Sequence, residues 1–223
     1  MENLSLIHKI NIAVHIAAGS LALIIGLIAI IAIKGKKLHR RTGRLFLFLM
    51  SIVILTGLIG VFIYGRNAFL LVITVLSGYQ AFSGYRAIKA KSNIPKFTDV
   101  FVCLISLISV LYFLYYFKSI GMIWSPVIIY STVGWLFFMI IYDLGRYFIP
   151  TKTYGNLWLY EHILKMVSAF TGLLSAFSGT VFPQYQPYSQ FIPSILGTLT
   201  AICFMIAVAN RKKYADFNLK AIG

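Results

Sequence analysis

Ile10-Asn11-Ile12-Ala13-Val14-His15-Ile16-Ala17-Ala18-Gly19-Ser20-Leu21-Ala22-Leu23-Ile24-Ile25-Gly26-Leu27-Ile28-Ala29-Ile30-Ile31-Ala32-Ile33 runs without a charged residue into Lys34-Gly35-Lys36-Lys37-Leu38-His39-Arg40-Arg41-Thr42-Gly43-Arg44. An apolar run of about 20 residues or more is long enough to cross a hydrocarbon core as a helix. The block of Lys and Arg behind it marks where the chain leaves lipid and on which side. The run is expected to remain as a helix and not to be removed as a signal peptide, because it carries His15 near its start and more apolar runs follow.

The pattern recurs along the chain. Of 223 residues, 60% are hydrophobic and 11% charged, with a mean hydropathy of +0.87. A water-soluble domain needs about 25% charged residues for its surface, so the composition excludes one. Spans are predicted near Ile10–Ile33, Leu45–Tyr64, Ala68–Ile88, Val100–Phe117, Val127–Phe148, Leu157–Phe182 and Phe191–Asn210. The expectation is an all-α, polytopic bundle of seven transmembrane helices forming one domain over residues 1–223. The breaks fit: the basic stretch Lys34–Arg44, an Arg66-Asn67 turn, the polar stretch Lys89–Thr98, Pro126 in a first helical turn, Pro150, and the loop Pro183-Gln184-Tyr185-Gln186-Pro187-Tyr188.

With seven spans, alternate loops fall on opposite sides. One side then receives Lys34, Lys36, Lys37, Arg40, Arg41, Arg44, Arg86, Lys89, Lys91, Lys96, Arg146, Lys152, Arg211, Lys212, Lys213 and Lys220, sixteen cations, and the other only Lys9, Arg66 and Lys118. Lys165, just inside the sixth span, is expected to stretch its ammonium toward the basic side. Basic loops stay in the cytoplasm, which predicts an outside N-terminus and a cytoplasmic C-terminus in the cytoplasmic membrane. The net charge of +15 is thereby explained by membrane insertion and an anionic inner leaflet, and no nucleic-acid partner is expected. Tyr112, Tyr115, Tyr116 and Trp124 fall at the outer interface and Tyr147, Tyr154 and Trp158 at the inner one, the usual place for aromatic anchors. Cys103 and Cys203 read as small core residues.

Close backbone approach at small residues holds helices together in lipid. His15, Gly19, Ala22 and Gly26 share one stripe of the first helix, which should face a neighbour. Ser168, Gly172, Ser175 and Gly179, with Thr171 and Ser178 nearby, repeat the device in the sixth, and Ser77, Ala81 and Gly84 in the third. Such stripes either pack helices or wall a bound group.

An ionisable side chain at membrane depth is a candidate functional residue. His15 lies about 10 Å from the bilayer centre. It could carry a proton, bind a metal or haem iron, or simply hydrogen-bond a neighbouring helix. His39 and His162 stand at cytoplasmic helix ends, where facing imidazoles could hold haem or a metal ion, with Arg44 and its neighbours binding an anionic group. Glu161 with Lys165 and Asp143 with Arg146 read as local ion pairs. All five carboxylates, Glu2, Asp99, Asp143, Glu161 and Asp216, fall at or near span ends. The midplane therefore lacks the acid that an ion-coupled transporter needs. No phosphate-cradling loop, zinc helix or nucleophile turn is visible.

His15-Ile16-Ala17-Ala18-Gly19-Ser20-Leu21-Ala22-Leu23, then Gly26, then Leu38-His39-Arg40-Arg41-Thr42-Gly43-Arg44 resembles the bacterial membrane proteins grouped as domain of unknown function 2306. The likeness covers about the first sixty residues, and His162 with Met166 is similar to a helix of those proteins. It implies a polytopic helical fold and points to His15, His39, Gly43, Arg44 and His162, without supplying an activity. Three functional readings are open: binding of haem, metal or quinone in a redox role through histidines; a permease or channel for a small solute, lined by the third and sixth spans; or an accessory subunit whose stripes bind another membrane protein.

Overall fold

The computed structural model describes residues 5–65, 68–120 and 125–222, with side chains over 5–65, 71–119 and 125–211. The expected Arg66-Asn67 turn and Trp124 lie outside the described residues, as do Glu2 and the side chains of Lys212, Lys213, Asp216 and Lys220. Among the described residues the secondary structure is helical throughout: α1 (Leu6–Ile31), α2 (Lys37–Phe62), α3 (Ala68–Ala90), α4 (Phe97–Ile120), α5 (Pro126–Gly145), a single turn α6 (Thr151–Tyr154), α7 (Leu157–Val181) and α8 (Tyr188–Ile222). Short 3-10 turns at Arg146–Phe148 and Pro183–Tyr185 join the later elements. Six helices, α1, α2, α4, α5, α7 and α8, are long and apolar enough to cross a membrane. The chain has the build of a multi-pass membrane protein.

One expected break moved. The stretch Lys34–Arg44 is not a loop: only Lys34–Lys36 turn, with Gly35 at φ +76°, where a Cβ would be strained. Lys37–Arg44 form the first two turns of α2. Lys and Arg are good helix formers, and the Thr42 hydroxyl donates back to Leu38 O at 2.9 Å, so nothing in this segment stops a helix.

The helices α3 and α7 form the centre. The α1–α2 hairpin packs on one side, with Ala18, Ala22, Phe46, Met50, Ala169 and Phe170 in a shared core. The α4–α5 hairpin packs against α3 through Val72, Val110, Phe113, Val133 and Leu136, and α8 lies along α7. Glycines set the distances. A Cβ on Gly26 would come 2.6 Å from Phe170, one on Gly172 2.5 Å from Ser77 Oγ, and one on Gly84 3.0 Å from Lys165 Cβ. Gly197 on α8 is pressed by the Thr171 side chain. The small-residue stripes thus do face neighbours, and those of α3 and α7 close on each other. The wall expected for a permease path is occupied by helix packing.

Burial is inverted relative to a soluble protein. Phe48, Leu55, Ile108, Phe138 and Ile195 stand exposed on the outside, while Gln80, Asp143, Arg146, Glu161 and Lys165 are buried inside. Large contiguous apolar surface marks an interaction surface. On helices of this length and hydropathy, that partner is the lipid bilayer.

Candidate functional site

The charged interior is concentrated at the end of the bundle where α3 and α5 finish and α4 and α7 begin. Asp143, in the last turn of α5, receives three groups. Lys165 of α7 donates to Oδ1, Tyr79 of α3 donates to Oδ2 at 2.6 Å, and Arg146 Nε stands 3.4 Å from Oδ1. Glu161, in the first turns of α7, pairs with Arg146 Nη1 and accepts from Tyr142 at 2.8 Å. Lys165 Nζ completes the ring 3.9 Å from Glu161. Two carboxylates face two cations, and all four side chains are at most 5% exposed. Charges held away from water cost several kcal/mol each unless paired, so the cluster is stable only as a balanced set.

The tyrosines complete it. The one hydroxyl hydrogen of Tyr79 is spent on Asp143, so the Cys103 thiol, 3.2 Å away, donates to the phenol oxygen. Arg146 Nη1 donates to Tyr154 at 3.2 Å. Tyr154 lies between spans. Burial first, and then the negative charge of Glu161, pushes its phenol above the usual tyrosine range. It therefore remains a hydrogen-bond donor at neutral pH. Beside the ring, Arg86 Nε and Nη2 grip both oxygens of Asp99 at 2.5 and 2.8 Å, and Asp99 also accepts from Lys96 N at 2.9 Å. A cleft of about 10 Å³ lies between these groups, lined among others by Ser83, Arg86, Asp99, Asp143 and Arg146. That is about the size of one water molecule.

Two expectations are corrected here. Lys165 does not extend to the surface: it is 0% exposed, because two carboxylates inside offer it more than the headgroup region does. Tyr154 is likewise no interfacial anchor but 1% exposed within the network. The pairs read as local, Asp143–Arg146 and Glu161–Lys165, exist at 3.4 and 3.9 Å. The tighter contacts are the crossed ones, Lys165 to Asp143 and Arg146 to Glu161. Sequence spacing reports neighbours on one helix and is silent on contacts between helices, so this network went unseen. The signal that could have exposed it was scarcity: three of the five carboxylates lie at the ends of three of the four helices that meet there.

The histidines are placed differently. His15 Nδ1 bonds the Thr56 hydroxyl of α2 at 2.8 Å, and that hydroxyl donates onward to Ile52 O at 2.7 Å. Asn11 Nδ2 donates to Thr56 O at 3.1 Å, and His8 stacks on Tyr64 with ring centroids 4.0 Å apart. His15 thus belongs to a polar seam between α1 and α2. His39 donates from Nδ1 to Ala29 O at 2.9 Å. Ala29 is about 21 Å along α1 from His15, at 1.5 Å per residue, so His15 and His39 do not meet. Among the described residues no group of three His, Cys, Asp or Glu is arranged to hold a metal ion.

His39 and His162 stand near the same end of the bundle, His39 turned to α1 and His162 to α3. Phe46 of α2 and Phe170 of α7 have ring centroids 6.4 Å apart. His39 precedes Phe46 by about two turns and His162 precedes Phe170 by slightly more, so both imidazoles lie at about one depth. His162 donates from Nδ1 to Gly84 O at 2.9 Å. In each ring the carbonyl requires a proton on Nδ1, which makes Nε2 the nitrogen that would ligate a metal. Arg44 is not among these groups: it is exposed and its Nε donates to Arg40 O at 3.2 Å, turned away because its place on α2 faces outward.

No protein-family model, curated protein or solved structure matches the chain.

Proposed function

We propose that the chain is a seven-span protein of the cytoplasmic membrane, N-terminus outside and C-terminus inside, which binds a redox-active metal ion or a haem iron between His39 and His162. The observation that supports the binding is that two imidazoles stand at about one depth, each with Nδ1 committed to a helix carbonyl, so that Nε2 is the nitrogen a metal would take. Imidazole suits iron, copper and zinc, and a carbonyl on the far nitrogen fixes the ring and raises its basicity. The two histidines would supply two ligands, and a bound redox metal or haem would supply one-electron chemistry next to a bilayer that can carry a quinone. His15 has no part in it. We further propose that the chain is related to the membrane proteins grouped as domain of unknown function 2306, on the likeness of its first sixty residues.

The count of seven rests on α3. With 23 residues it is about 34 Å long, enough to cross, and it is wrapped by α2, α4, α5 and α7. Its polar residues Ser77, Gln80 and Ser83 are buried, so they face helices and not lipid. The direction rests on the positive-inside rule.

The test of the site is spectroscopic. Protein purified in mild detergent, with metal analysis, should show a Soret band or stoichiometric metal. His39→Gln and His162→Gln, which keep an N–H to donate to the helix carbonyl, should each lose it while the protein still folds. Neither a Soret band nor stoichiometric metal in both oxidised and reduced samples would remove this reading.

A further inference from the structure

Lys37, Arg40, Arg41 and Arg44 occupy i, i+3, i+4 and i+7 of α2, and all four are exposed. This is a poor arrangement for a helix standing alone. Like charges three and four residues apart repel, and the positive end of the helix dipole lies at the same place, where acids and not bases are favoured. No acid sits in the first turn, and Lys36 at the N-cap makes no side-chain capping bond. Relief from inside the protein is absent among the described residues. Their three carboxylates, Asp99, Asp143 and Glu161, are committed to Arg86, Arg146 and Lys165 where α3, α4, α5 and α7 meet. Lys34, exposed like them, caps the end of α1 and lies 4.3 Å over the Phe204 ring.

The anion that balances this stripe must therefore come from outside the described chain, and the helix shows from where. The stripe continues along α2 as Leu45, Phe48 and Leu55, all exposed, whereas the opposite face, Thr42, Phe46, Leu49, Val53 and Thr56, is buried in the bundle. The cations thus stand on the face that continues into the acyl region, at the level of headgroups. We infer that Lys37, Arg40, Arg41 and Arg44 form a binding site for the phosphates of anionic phospholipid, whose chains lie along Leu45, Phe48 and Leu55. The stripe is about 10 Å long, room for more than one phosphate. This holds whether or not the histidine pair binds a metal, since it uses the other side of the helix.

Lipid binding to the purified full chain in neutral detergent tests it, with phosphatidylglycerol, phosphatidylcholine and inorganic phosphate as separate probes and the thermal midpoint as readout. Phosphatidylglycerol at a hundred times its dissociation constant should raise the midpoint by roughly 5–10 °C, with phosphatidylcholine and inorganic phosphate well below. Each cation near a membrane surface weighs enough that Arg41→Gln should weaken binding roughly five-fold. The variant K37Q/R40Q/R41Q/R44Q should lose it, and K89Q/K152Q, changed on the same side of the bundle, should keep it. If the quadruple variant does not fold, Arg41→Gln alone carries the test. Undiminished phosphatidylglycerol binding in K37Q/R40Q/R41Q/R44Q or in Arg41→Gln, an equal shift from phosphatidylcholine, or an equal shift from inorganic phosphate overturns the site as a lipid site.

Discussion

Lys165 is the residue on which the charged interior turns. It is wholly buried, reaches Asp143 on another helix, and stands 3.9 Å from Glu161 on its own. Lys165→Met would leave Asp143 and Glu161 sharing Arg146 alone, an uncompensated buried charge that costs about 3–5 kcal/mol. The double variant D143N/K165M removes one charge of each sign. It should be less destabilised than the two single changes added together, by a coupling of about 0.5–3 kcal/mol in unfolding measured in mild detergent. A coupling of zero would mean that the two side chains do not share a network. The alkaline limb reports on Tyr154. Its phenol is raised in the folded protein, so the unfolded chain, with the ordinary value near 10, releases its proton first. The contribution is therefore complete below about pH 10 and lost as pH rises toward the folded value. Tyr154→Phe should flatten part of the stability loss above pH 10, read from thermal midpoints across pH.

Each central helix is legible as an apolar run with a small-residue stripe, and the stripes did what their composition implied. Gly26 meets Phe170, Gly172 meets Ser77, and Gly84 meets Lys165 and Met166. These contacts make a contrast between glycines. Gly197→Ala drives a Cβ into the Thr171 side chain, and Gly172→Val drives one onto Ser77. Each should destabilise by about 1–3 kcal/mol, the usual cost of overpacking. Gly134→Ala meets nothing within 4 Å and should stabilise by about 0.5–1 kcal/mol, through removal of glycine's freedom in the unfolded chain. Comparable thermal midpoints for Gly197→Ala and Gly134→Ala would contradict the close packing of α8 on α7. The α2 helix shows the limit of reading by hydropathy. A charge block looks like the end of a span, yet it continues the helix, because helix formation depends on backbone and propensity while hydropathy reports only where lipid stops.

Across the molecule, the loops predicted to share a side do come together. Asn93 after α3 donates to Arg146 O after α5, Lys91 lies 5.4 Å over the Trp158 ring at the start of α7, and Lys34 after α1 lies over Phe204 midway along α8. The basic residues of these segments therefore gather at one end of the bundle. Reporter fusions should place the N-terminus and the C-terminus in opposite compartments. Both ends in one compartment would break the seven-span proposal and reverse the assignment of the histidine pair to the cytoplasmic end.

Composition and the placement of apolar runs determined that this is a helical membrane bundle, where its long helices lie, and that its cations crowd one end. Those properties follow from transfer of side chains between water and lipid, which depends on each segment by itself. Which buried charge meets which, that His39 and His162 share a depth while His15 stands apart, and that Lys165 turns inward were decided by tertiary structure. They depend on how α3 and α7 approach and rotate, and that approach is set by contacts between residues far apart in the chain.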